Sequence, residues 1–372
     1  MVNETTPLRW DMHAAEIQRH KRIAKMVGLG ALALVVVVVF GCAVMQDTDT
    51  VTTVTGGGDG VTCGTAANEA GYIKLPNKQD DHLFYWFFES RESYAGHYIP
   101  AAAHKIHLEN KAAKTRRLNV QGIAIGNGLT NTVVQSEHGL NMVNNSYGVK
   151  LMDDETLVNA KIAASQCTAL VTSCQTNTSV CIDAAQFCQF NVMGAYAAAG
   201  RNMMDIRQEC VELDPIMCYG DMIQRITSYL NSAAVRSYLS VSDVHPTPWQ
   251  SIAADVEVAF AADMMKTFEQ DVAALLSDSS VRVLIYHGDA DLVCNWYGGL
   301  AWTRALQWQH QDEFNAAEQR AFEVNARDAG AVWAYTDRLT FLRVFNAGHL
   351  APMDQPEVAL EMINRFLRSE TL

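Results

Sequence analysis

Residues 281–291 read VRVLIYHGDAD. A branched, apolar run without polar alternation, stopped by Gly-Asp-Ala-Asp, is the pattern of a strand buried on both faces. Such strands build parallel sheets under helices, and their C-terminal ends are where open α/β sheets carry reactive side chains. Two further stretches share the grammar, NVQGIAIGNG (119–128) and TFLRVFNAGH (340–349). Helical periodicity lies between and after them, in DMMKTFEQDVAALL (263–276) and PEVALEMINRFLRS (356–369). The fold class read from this alternation is α/β.

Working outward, the chain has 372 residues, 49% of them apolar and 19% charged, with a formal net charge of −13. That composition suits a globular protein with a large core. Nucleic-acid binding leaves a basic footprint, and outside the first 25 residues there is none. Met26 to Met45 carries no charge and is long enough to span a bilayer. Arg19, Lys21, Arg22 and Lys25 precede it and Asp47 and Asp49 follow, which orients residues 1–25 as a basic cytosolic segment and the remainder outside. The reading is a signal anchor over 26–45 that ties the chain to a membrane, with a cleaved signal peptide as the alternative. Residues 46–70, polar and Gly-rich, follow as a flexible stalk. The GGGDG at 56–60 lacks the strand and helix of a phosphate loop and reads as linker.

Nine cysteines are present, and Cys167, Cys174, Cys181 and Cys188 recur every seven residues before Cys210 and Cys218. The chain contains no Cys-x-x-Cys pair, so the tight ligand spacing of a zinc ribbon is missing, and behind a secretion signal disulfides are the better reading. Six cysteines allow 15 connectivities. Sequons at Asn144 and Asn177 suit a glycosylated lumenal surface. The stretch from about 150 to 245 breaks the strand–helix alternation and reads as an inserted, disulfide-rich cap. His104 and His107 sit three apart on a predicted helix without a carboxylate at ligand spacing, and so read as packing or solvated histidines. The basic run KIHLENKAAKTRR (105–117) reads as a solvated helix face.

A serine hydroxyl needs a base to take its proton and a third group to hold that base. Ser93, in ESYAG (92–96), is followed by Asp291 and then His349, the order Ser–Asp–His found in α/β hydrolases, with the last two at predicted strand ends. Arg91 stands where the first glycine of Gly-x-Ser-x-Gly belongs.

Several blocks carry a family resemblance: HLFYWFFESR, ESYAGHYIP, GIAIGNGLT, VLIYHGDADLVCNW with AWT, and LTFLRVFNAGHLAPMDQPEVALEMIN. They resemble serine carboxypeptidases of the carboxypeptidase Y type, from about residue 71 to the C-terminus. The resemblance implies an α/β-hydrolase fold over 71–372 that works without cofactor or metal. It implies Ser93 as nucleophile, Asp291 rather than Asp289 as orienting acid, and His349 as general base. Glu92 would bind the free C-terminal carboxylate of a peptide or protein substrate, and the backbone N–H of Tyr94 would serve the oxyanion hole. Two carboxylates share a hydrogen bond only when one is protonated, so this binding favours acidic pH. The same resemblance pairs Cys167 with Cys188, Cys174 with Cys181 and Cys210 with Cys218, and leaves Cys63 unassigned and Cys294 a free thiol near the site.

By the same comparison an internal segment is missing between Arg91 and Glu92, on the order of a hundred residues, including the strand that feeds the nucleophile. An incomplete central sheet is therefore expected. The Asn-Gly-Gly-Pro-Gly-Cys-Ser motif of that segment occurs nowhere in the chain. Its absence removes one oxyanion-hole donor, a loss of about 3 kcal/mol in transition-state binding. Its cysteine normally bonds to one in a Trp-x-Ser-Cys-Asn segment, where this chain has Ile252. Two readings stand beside an active carboxypeptidase: a catalytically silent homologue that binds peptides or a partner, or an incomplete gene model. A general esterase would explain the triad but not Glu92.

Overall fold

The computed structural model describes residues 71–74, 82–85, 94–112, 118–210, 215–238, 248–252 and 254–372. The predicted anchor or signal helix, the stalk, Cys63, Arg91, Glu92 and Ser93 lie outside these residues. Among the described residues no helix is long and apolar enough to cross a membrane. The chain divides into two compact units, one containing residues 221–260 and the other 46–220 with 261–372.

In the larger unit, β1 (Gly71–Lys74) and β2 (His82–Tyr85) form an antiparallel pair with Gly71 opposite Tyr85. Next come α1 (Ala95–Ala112), β3 (Gly122–Gly126), α2 (Thr132–Glu137), α3 (Asp154–Thr176) and α4 (Cys181–Cys188). A short hairpin of β4 (Arg201–Asn202) and β5 (Asp205–Glu209) closes this stretch. The chain continues through α5 (Glu269–Asp278), β6 (Arg282–Gly288), α6 (Trp296–Ala305), β7 (Arg320–Val324), β8 (Arg327–Tyr335), β9 (Leu339–Val344) and α7 (Pro356–Arg368). The smaller unit contributes short helices, among them Ala233–Tyr238 and Ala254–Phe260.

Five strands join in the order β3-β6-β9-β8-β7. The first three are parallel neighbours, and β8 and β7 extend them antiparallel. Period-two geometry sends successive residues of β6 to opposite faces. Val283 and Ile285 join one core with Ala103 of α1, Val272 and Leu275 of α5, and Trp302 of α6. Leu284 and Tyr286 join the other with Val358, Met362 and Phe366 of α7. The sheet is thus buried on both sides, which is why its parallel strands read as unbroken apolar runs. The three α7 side chains, spaced by four, form one helical face, and each contributes about 1.5–3 kcal/mol by leaving water. Helix α5 begins at Glu269 rather than near residue 263, because residues 261–265 form turns.

A third core, built on α3 and α4, includes Val171, Ala184 and Tyr196 and reaches Ala290 and Leu292 beyond β6. Two bridges staple it, Cys167–Cys188 and, nested inside, Cys174–Cys181; Cys210–Cys218 ties off the chain after β5. Asp153 caps α3 by accepting from the Thr156 N–H at 2.7 Å, and Asp154 and Glu155 in the first turn suit its positive end.

Candidate active site

The C-terminal ends of β3, β6 and β9 meet at one edge of the sheet and carry Asn127, Asp291 and His349. Close backbone approach makes this possible. A Cβ on Gly288 would lie 2.1 Å from the Gly348 carbonyl oxygen, so only glycine lets the loop after β6 lie against the loop after β9. The Ala290 N–H donates to Ala347 O at 2.8 Å and locks the two loops together.

Asp291 is fully buried, and its chain neighbours Ala290 and Leu292 belong to the third core. Three donors converge on its Oδ2: His349 Nδ1 at 2.8 Å, Asn127 Nδ2 at 2.7 Å and the Cys294 N–H at 3.3 Å. Its Oδ1, equally buried, has no hydrogen-bond partner among the described residues. A carboxylate accepting from Nδ1 fixes the tautomer, so the proton sits on Nδ1 and Nε2 is left as the basic nitrogen. Asn127 reaches its position through a left-handed backbone, with φ of 43°, a conformation asparagine tolerates better than most residues. Asp289, two residues before Asp291, faces elsewhere. It accepts from the Tyr147 hydroxyl and from Arg343 Nη2 at 3.2 Å, and burial raises its pKa. Arg343 in turn lies 4.2 Å over the Trp296 ring.

The start of α1 reaches the same edge. A Cβ on Gly96 would lie 2.3 Å from Leu129 O, and one on Gly128 would lie 3.0 Å from the Gly96 Cα. The first turn of α1 therefore packs on the loop that carries Asn127. The Tyr94 carbonyl accepts from the His97 and Tyr98 N–H groups at 2.9 and 3.0 Å, and Ser93 is the next residue back along the chain. His97 is buried, its Nδ1 2.7 Å from Leu129 O, and desolvation lowers its pKa.

Behind the Asp291 carboxylate, His287 on β6 is completely buried and its pKa is pushed down to about 4 by desolvation. It is neutral at physiological pH, and Nδ1 donates to Cys294 O at 2.8 Å. Cys294 is itself buried. Leu129, Gln135, Met193, Val293 and the Cys167–Cys188 bridge line an apolar cavity beside it.

Away from this edge, His104 pairs with Asp271 at 2.6 Å and His107 with Asp278 at 3.4 Å, so both join α1 to α5. Asn144 and Asn177 are exposed, and Asn177 Oδ1 accepts from the Ser179 hydroxyl at 2.7 Å. Sequence reasoning missed Asn127, Tyr147, Arg343 and His287. Asn127 had a signal, because an asparagine between two glycines at a strand end invites a left-handed turn.

The family model for serine carboxypeptidases matches residues 91–369. Carboxypeptidase Y homolog A of Sclerotinia sclerotiorum is 37% identical over 300 residues, which cover 79% of this chain and 52% of that protein. Carboxypeptidase Y of Komagataella phaffii is 36% identical over 287 residues, covering 76% and 53%. A serine carboxypeptidase-like protein of Pisum sativum is 36% identical over 283 residues, covering 74% and 93%. The chain spans about half the length of these fungal relatives. Among solved structures, a prohormone-processing carboxypeptidase of Saccharomyces cerevisiae shares the fold with a TM-score of 0.62 at 23% identity, covering 74% of this chain and 60% of that one.

Proposed function

The chain belongs to the serine carboxypeptidase family, and from that premise we propose that it removes residues from the C-termini of peptides and proteins through an acyl-enzyme. The buried contact of 2.8 Å between His349 Nδ1 and Asp291 Oδ2, at the edge where α1 begins, carries the reading. Ser93 would place its Oγ before His349 Nε2, which takes the hydroxyl proton as Oγ bonds to the scissile carbonyl carbon. The carbonyl oxygen becomes an oxyanion that accepts from the Tyr94 N–H. Collapse breaks the C–N bond, the leaving amino acid takes the proton from Nε2, and water then releases the acyl group by the same steps in reverse. Asp291 stays ionised and stabilises the imidazolium. Glu92 would hold the substrate carboxylate by a shared proton, so KM rises as pH rises and deprotonates the pair.

The three disulfides support a lumenal or extracellular setting, with residues 26–45 as anchor or signal, 46–70 as stalk, 150–245 as cap, and Asn144 and Asn177 as glycosylation sites. A second reading, a silent homologue that binds peptides without cleaving them, is favoured by Arg91 and by the missing glycine-rich motif. Amino-acid release from an N-blocked dipeptide at about pH 5 separates the two. Release that vanishes in Ser93→Ala supports the enzyme. A folded chain that binds the dipeptide and releases nothing supports the silent homologue.

A further inference from the structure

The mechanism uses Asp291 and His349 and leaves a second ionic cluster beneath them unexplained. The turn between β4 and β5 touches both catalytic loops through the backbone. Met204 O accepts from the His349 N–H at 2.6 Å, Met203 O from the Leu292 N–H at 3.0 Å, and Ala290 O from the Ile206 N–H at 3.0 Å. A Cβ on Gly348 would strike Met204 O at 2.4 Å, so the base loop is seated directly on this turn.

Arg207 on β5 grips Asp205 with two bonds of 2.7 Å, Nε to Oδ1 and Nη2 to Oδ2. Its Nη2 also donates to Asp354 Oδ2 at 3.3 Å, and that oxygen accepts from the Gly348 N–H at 2.6 Å. One guanidinium therefore links the hairpin to the residue before His349. Asp205 is 1% exposed, so removing its partner would strand a buried charge. Asp354 also lies in a crowded field: burial raises its pKa first, and the charges of Asp205 and Asp291 raise it further. Among the described residues, the ionisable groups around this place include Asp291 and His287 from β6 and its loop, Asp205 and Arg207 from β5, Asp354 after His349, and the Tyr219 hydroxyl. Tyr147, 5.9 Å from the Arg207 guanidinium, connects onward to Asp289 and Arg343.

We propose that Arg207 is a positioning residue: with Asp205 and Asp354 it clamps the loop that carries His349 and sets the charge balance around that imidazole. The proposal rests on His349 acting as the general base. It also gives the cysteine-rich insert a part in the chemistry, since the hairpin comes from within it.

The test uses the full chain with Arg207→Met, Arg207→Lys and Asp354→Asn, read by kcat and KM against pH on the blocked dipeptide. A second readout is the downfield proton resonance of His349 Nδ1, identified by its loss in His349→Gln. In Arg207→Met, Asp205 and Asp354 lose their counter-charge and favour the imidazolium. The acid limb of kcat/KM and the titration of the resonance both move to higher pH, and kcat falls about tenfold with KM nearly unchanged. Arg207→Lys keeps the charge and leaves the limb in place. Asp354→Asn keeps an oxygen for the Gly348 N–H but removes a negative charge, so the limb moves to lower pH. It serves as the test if Arg207→Met does not fold. Folded Arg207→Met or Asp354→Asn protein whose limb and resonance coincide with wild type overturns the proposal. Should the wild-type chain release no amino acid, the functional reading fails, and the resonance alone decides whether Arg207 governs His349.

Discussion

Asn127 allows its bond to Asp291 to be separated from its backbone geometry. Its Nδ2 donates at 2.7 Å to the Asp291 oxygen that also holds His349, and its φ is 43°. Asn127→Ala removes a hydrogen bond to a buried carboxylate, worth about 1.5–3 kcal/mol. It also places a Cβ residue without asparagine's local compensation in the left-handed region, costing about 1 kcal/mol more. The expected loss is about 2.5–4 kcal/mol in urea unfolding, seen as a lower midpoint at unchanged slope. Asn127→Gly keeps the backbone comfortable but loses the side chain's bonds, the one to Asp291 and a 3.4 Å one accepted from the Gly288 N–H, so after glycine's extra unfolded-state entropy it should sit a few tenths of a kcal/mol above the alanine variant. Both should lower kcat, because Asp291 then has one donor fewer to fix its orientation. If alanine proves as stable as wild type, the bond to Asp291 contributes nothing to the fold. If glycine is no better than alanine, the left-handed backbone is not a constraint there.

Asp291→Asn should lower kcat by about 10⁴ by favouring the wrong imidazole tautomer, whereas Asp289→Asn, at a carboxylate that bonds Tyr147 and Arg343 rather than His349, should cost less than about tenfold. Equal effects on blocked-dipeptide hydrolysis would refute that division of labour. His287 has a folded pKa near 4 against an ordinary 6.5, so its contribution to stability is present above pH 6.5 and is lost as pH falls towards 4. That loss amounts to about 3 kcal/mol, from 2.5 pH units at about 1.36 kcal/mol each. His287→Leu should start less stable at pH 7, because Cys294 O loses its donor, yet lose about 3 kcal/mol less on acidification to pH 4. The raised carboxyls of Asp289 and Asp354 shift stability in the opposite sense, but equally in both proteins. Parallel urea curves for the two proteins at both pH values would remove His287 from the account.

The three parallel strands were legible because burial on both faces leaves no polar alternation, and the Gly, Asn and Asp residues that stop them mark the edge carrying Asp291 and His349. The antiparallel extension was not. Its turn, Asn325-Ala326, has φ of 52° and 59°, but alanine at the second position hides the Asn-Gly signal of a tight hairpin. The choice of Asp291 over Asp289 came from resemblance, since two aspartates two residues apart look alike in sequence. In the structure the difference lies in distant partners, Tyr147 and Arg343 taking one and His349 the other. The ionic cluster around Arg207 was illegible for the same reason, because Arg207 and Asp354 are 147 residues apart.

The parallel pairing also bears on how the chain reaches its native state. Strands β3 and β6 lie side by side, and the Asn127–Asp291 bond at their ends spans 164 residues. The pairing of these strands is rewarded only once that loop closes, so sheet formation should be slow and the unpaired strands exposed to aggregation meanwhile. The three disulfides fall inside the loop and shorten its effective length once formed. Oxidation ahead of sheet closure should therefore speed refolding, and chain refolded under reducing conditions should form its sheet late and in lower yield.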